Sequence, residues 1–148
     1  MLFRSGFPWW EDTVAPLKKA GVLELVTEET KLNSELTITP TPGHTPGSMS
    51  LIINSGGETA FLLGDVFHGP AQVTETDWVF RFDMDSDQAG RTRREILDRA
   101  ERDNAAIATC HHSWFGRGIK EDGKRYLPAR PENGGEGQEG TSRGAAST

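Results

Sequence analysis

The sequence is short of several things that would point elsewhere. It has one cysteine, Cys110, in 148 residues, so no intrachain disulfide can form and a reducing, cytoplasmic setting is expected. No apolar run reaches membrane-spanning length, and Met1 to Trp10 lacks the apolar segment and small-residue cleavage site of a secretory signal. Basic residues form no stripe with interleaved aromatics, and the net charge is −6, so neither nucleic acid nor a membrane is an expected partner. Apolar residues make up only 34%; part of that deficit falls in a polar C-terminal tail, which leaves the body enough for a modest core. The length suits one domain, expected over residues 1–130, with a disordered tail over 131–148 that holds no large apolar residue.

Local patterns give an element order. Trp10 to Ala20 has helical spacing with Gly21 at its end, although Pro16 falls inside it. Val22–Val26 and Leu36–Thr39 read as short strands. Met49–Ile53 and Thr59–Leu63, joined by Asn54-Ser55-Gly56-Gly57, read as a β-hairpin. Gly64 to Asp85 has aromatics but no period and reads as an ordered loop. A helix capped by Ser86 or Asp87 runs to about Asn104, with Ala89, Ile96, Leu97 and Ala100 inward and Arg91, Arg93, Arg94, Arg99 and Arg102 outward. Thr92-Arg93-Arg94 is placed to fix that helix to the body. Ala105–Thr109 is a further strand, and Tyr126 and Leu127 a short edge. Strand, loop, helix and strand in this order give an α/β layered fold.

Three strings each put a metal-competent side chain directly after a strand. They are Thr41-Pro42-Gly43-His44-Thr45-Pro46-Gly47, Leu63-Gly64-Asp65-Val66 and Thr109-Cys110-His111-His112. A strand end fixes the backbone while the loop beyond it lets the side chain reach an open site. Taken singly, each has a plainer reading: a Pro/Gly turn with a solvated histidine, or an aspartate starting a turn. Adjacent strand residues point to opposite faces, so His111 and His112 are not expected to share one ion. Cys110 reads as a small buried residue rather than a nucleophile.

Together, over about residues 36 to 128, these strings resemble the metallo-β-lactamase superfamily, and within it the lactonase-like, quorum-quenching branch. The resemblance implies a partial αββα sandwich, mainly its C-terminal half. It also implies that His44 is a metal-binding histidine, that Asp65 bridges two zinc ions and takes part in catalysis, and that the last metal-binding histidine is His111 rather than His112, on its spacing to Gly116. His68-Gly69-Pro70, Gln72-Val73, Phe82-Asp83-Met84-Asp85 and Thr92-Arg93-Arg94 match neighbouring segments of the branch. His68 is placed near a substrate or behind a ligand, or is simply a loop histidine; Trp78, Phe80 and Phe82 line a pocket or the core. The implied activity is opening of a lactone or related ester, a small-molecule substrate, by zinc-bound hydroxide. Such enzymes also carry an upstream His-x-His-x-Asp-His motif, and this sequence has no histidine before His44. Only His44, Asp65 and His111 of the expected ligands are therefore present, so hydrolysis by this chain alone is expected to be impaired. The alternative is a non-catalytic fragment or half-domain that acts with a partner chain supplying further ligands.

Overall fold

Runs rich in β-branched and apolar residues make Leu36–Pro40 (β2), Met49–Ser55 (β3) and Glu58–Leu62 (β4) into strands, with Thr39, Ser50, Ile52 and Phe61 buried. A computed structural model describes residues 10–111 and 115–127. The three strands form an antiparallel meander with Thr30–Lys31 (β1) outside β2. Ala106–Ala108 (β5) then pairs in parallel with β4, and Phe115–Gly116 (β6) closes a six-stranded sheet of order β1-β2-β3-β4-β5-β6. The hairpin turn is tighter than the expected four-residue link. Gly56 and Gly57 both take positive φ, 60° and 81°, which only glycine adopts freely, so β3 extends to Ser55 and β4 starts at Glu58.

The parallel step needs a crossover, and Ser86–Arg102 (α4) supplies it. Asp85 caps this helix, its carboxylate accepting from Gln88 N at 2.8 Å. Beyond its C-terminal end, Asn104 takes a positive φ of 46°. Cap and end thus lie within a few residues of the expected ones. Ala89, Ile96, Leu97 and Ala100 are buried as expected, and Ile96, Leu97 and Ala100 pack on Ile52, Phe61 and Ile107, which sit side by side across β3, β4 and β5. Each such large apolar side chain contributes about 1.5–3 kcal/mol on full burial. The opposite sheet face, with Ile38, Leu51 and Leu62 in register, is only partly covered; Leu62 is 39% exposed.

Other expectations need correction. Arg93, read as an outward-facing residue of the long helix, is 1% exposed. The helix over 10–20 is two pieces, Trp10–Thr13 (α1) and Ala15–Lys19 (α2), because Pro16 has no N–H to continue the ladder. Val22–Val26 forms no strand: Val22 and Leu25 are exposed, and the outer edge of β2 is taken by β1. The stretch from Gly64 to Asp85 is not irregular throughout, since Gly64–Val66 is a 3-10 turn and Ala71–Thr74 (α3) a single helical turn.

Tyr126 belongs to a separate hairpin, Ile119–Glu121 (β7) with Lys124–Tyr126 (β8), rather than to the main sheet edge. Its turn is Asp122-Gly123, both at positive φ, and Thr74 Oγ1 donates to Arg125 O at 2.8 Å to hold β8 beside α3. Among the described residues no helix is long and apolar enough to cross a membrane. His112 and the tail over 131–148 lie outside the described residues.

Candidate metal centre

The turn between β2 and β3 presents His44, and its neighbours are bonded inward. Thr41 Oγ1 shares a 2.9 Å hydrogen bond with Ser50 Oγ, and Thr45 Oγ1 one of 2.8 Å with Ser48 Oγ. Thr92 Oγ1 of α4 donates to Pro42 O at 2.6 Å. Met84 N donates to His44 O and Asp85 N to Gly43 O, at 3.1 and 3.0 Å. Gly43 has φ 137°, and a Cβ there would lie 2.4 Å from Ala89 Cα. Only glycine lets the turn lie directly on the first turn of α4.

Asp65 and His111 meet through strand register. β4 and β5 pair with Ala60 opposite Ala106 and Leu62 opposite Ala108. Leu63 N continues the ladder to Ala108 O at 2.8 Å. The same offset carried forward brings Asp65 to His111, whose Nε2 lies 2.8 Å from Asp65 Oδ1. Asp65 Oδ2 faces His44 Nε2 at 3.9 Å. All three residues picked out by the sequence therefore converge, with the carboxylate between the two imidazoles and one oxygen toward each.

His68 sits in the same cluster. Its ring stacks on Phe80 at 3.7 Å between centroids and lies 4.9 and 4.7 Å from the rings of His44 and His111. Burial, followed by the charges on His44 and His111, lowers its pKa below the ordinary imidazole range. Phe80 is half-buried, whereas Trp78 and Phe82 are exposed and take no part in the core. The carboxyl of Asp65 is held below its usual range, chiefly by the hydrogen bond from Cys110 and then by that from His111, with burial opposing.

Sequence reasoning missed what stands behind His44. Asp83 Oδ1 lies 3.3 Å from His44 Nδ1, and Asp83 Oδ2 accepts from Arg93 Nη2 at 2.7 Å. Both members of this pair have side chains 1% exposed. The rest of the guanidinium is spent on backbone carbonyls: Nε donates to Val66 O at 3.1 Å, and Nη1 to Thr76 O and Trp78 O at 2.9 Å each. His44, His68 and Asp83 also approach within ligand distance of one another, but Asp83 is committed to Arg93 and acts as a brace. The clues in the sequence were Thr92-Arg93-Arg94, already placed to fix α4 to the body, and Arg93 lying on the otherwise inward stripe of α4, three residues before Ile96.

The donor types suit zinc, with one imidazole nitrogen and one carboxylate oxygen on each side of Asp65, and a buried carboxylate holds the far nitrogen of His44, the outer partner that metal-bound histidines have. Cys110 is exposed rather than buried, and its Sγ donates to Asp65 Oδ1 at 3.1 Å. Burial of the sulfur and the adjacent carboxylate raise its pKa.

No family model matches the sequence, and no curated protein matches it. Solved structures do. One is AidC, described as a dizinc quorum-quenching lactonase in complex with a product, at 22% identity and TM-score 0.65, with 80% of this chain and 46% of that one covered. Another is the hydrolase AbOPH of the β-lactamase superfamily, at 23% identity and TM-score 0.66, with 81% and 43% covered. A probable metal-dependent hydrolase from Staphylococcus aureus is 19% identical with TM-score 0.61, over 75% and 42%. The chain thus spans less than half the length of these structures. The likeness shows the fold, an α/β arrangement that matches part of the metallo-β-lactamase fold.

Proposed function

We propose that His44, Asp65 and His111 hold zinc, and that the centre serves hydrolysis of a small-molecule lactone or related ester. The observation that carries this reading is the single carboxylate of Asp65 offering one oxygen to each of two histidines that arrive from separate strand ends, 3.9 and 2.8 Å away. Bound there, zinc supplies Lewis acidity toward a carbonyl oxygen and lowers the pKa of a water. The chain's own residues set the rest. Asp83 fixes the ring of His44 so that Nε2 faces Asp65, and Phe80 covers one face of His68 and keeps water from it. His68, its pKa lowered, stays neutral at pH 7 and so adds no charge between the two imidazoles. The lactone assignment is supported by the sequence resemblance and by AidC, described with a product bound.

A second reading, in which the chain works only beside a segment or chain that supplies further ligands, is favoured by one observation: the sheet face bearing Ile38, Leu51 and Leu62 is half-open. Zinc content after chelation, reloading and dialysis tests the first. Wild type is expected to retain zinc, His44→Ala and Asp65→Asn to lose most of it, and the zinc-loaded wild type to open a lactone measurably but slowly, with release of a proton, since only three of the expected ligands are present. Equal retention by all three chains would overturn the ligand assignment. Retention without lactone opening would favour the second reading.

A further inference from the structure

We propose that Cys110 is itself a metal ligand, joining Asp65 and His111 in a three-donor set of thiolate, carboxylate and imidazole that selects zinc-like ions over calcium and magnesium; this rests on the reading of Asp65 and His111 as ligands. Cys110 Sγ and His111 Nε2 approach the same oxygen, Asp65 Oδ1, at 3.1 and 2.8 Å. The donor atoms of the three residues all lie within 4.8 Å of one another. A tetrahedral zinc shell separates its donors by roughly 3.3–3.8 Å, given the usual zinc–sulfur and zinc–nitrogen bond lengths. Only small side-chain shifts therefore separate this cluster from such a shell.

Two neighbours on a strand would point to opposite faces, but β5 ends at Ala108 and the backbone bends through Cys110 and His111. The alternation no longer applies there, and both side chains turn toward Asp65. Cys110 is an exposed residue that fills no core position, and the chain has no second cysteine with which to pair. A thiolate is a poor ligand for calcium or magnesium and a strong one for zinc, cobalt or cadmium. Binding exchanges the Sγ–H bond for a sulfur–metal bond and passes that proton to solvent, with no change of oxidation state.

Cobalt(II) added to the metal-free 148-residue chain provides the test. The expected result is a near-ultraviolet thiolate-to-cobalt charge-transfer band in the wild type. Cys110→Ser should lack that band, keep the visible cobalt bands of its nitrogen and oxygen ligands, and bind cobalt on the order of tenfold more weakly. Visible bands without the near-ultraviolet band, with equal affinity in wild type and variant, would overturn the role of Cys110 and leave the His44, Asp65 and His111 centre standing. No cobalt bands at all in the wild type would overturn both. A check that needs no substitution uses the reaction of the chain's single thiol with a disulfide reagent. Saturating zinc should slow it by about tenfold or more, because a coordinated sulfur no longer attacks; an unchanged rate would overturn the assignment.

Discussion

The two sides of Asp65 are built to different standards. On the His44 side, the imidazole is backed by Asp83, Asp83 is held by Arg93, and that pair is 1% exposed and anchored to three backbone carbonyls. On the other side, His111 is 48% exposed, and it is placed by the register of two strands rather than by a buried network. The difference teaches that position and rigidity are supplied separately here. A long-range brace fixes one donor, while the sheet only delivers the other and leaves it adjustable.

Breaking the brace should produce the largest effect. Arg93→Ala leaves Asp83 buried without its cation and is expected to cost about 3–5 kcal/mol, read as a lower urea midpoint. A loss below about 1 kcal/mol would mean that water reaches Asp83 and that the two sides are alike. Next comes the contact under the turn. Gly43→Ala forces a Cβ against the backbone of Ala89 at a cost of about 1–3 kcal/mol, and by shifting His44 it should also weaken zinc retention. A variant with wild-type melting and wild-type retention would show that the turn tolerates movement.

The smallest effect concerns His68, which lies between the two sides. Its pKa is lowered in the fold, so the unfolded chain takes up that proton first as the pH falls. Stability of the metal-free chain is therefore full above the ordinary imidazole value of about 6.5 and declines below it. Asp65, also lowered, adds a second decline below the ordinary carboxylate value of about 4. His68→Phe preserves an aromatic stack on Phe80 and should remove the upper decline from urea midpoints measured across pH. If that decline persists in the variant, another group causes it.

Local signals singled out the candidate donors. The Pro and Gly residues around His44, the glycine before Asp65 and the apolar run before Cys110 and His111 each mark a strand giving way to a turn, and the structure brings those three ends together. The same holds for the hairpin and for α4, whose apolar spacing and capping aspartate lie within a few residues. That Thr92 and Arg93 fix α4 to the body was legible, and both do so; that Arg93 does it through Asp83 was not, because the partner lies in a loop with no period. Cys110 was read as a small buried residue, as a free cysteine commonly is; it is exposed because β5 has already ended at Ala108. The strand expected over Val22–Val26 failed because β-propensity needs an edge to pair with, and the outer edge of β2 was already occupied.

Because Asp65 and His111 are matched by strand pairing, chain length between them is not what keeps them together. Residues can be added beyond the end of α4, where Asp103 and Asn104 are exposed, and the hydrogen bonds of β4 and β5 still return the two side chains to the same place. Insertion tolerance of this kind lets the connection from helix to strand change length while that pair of side chains stays in step.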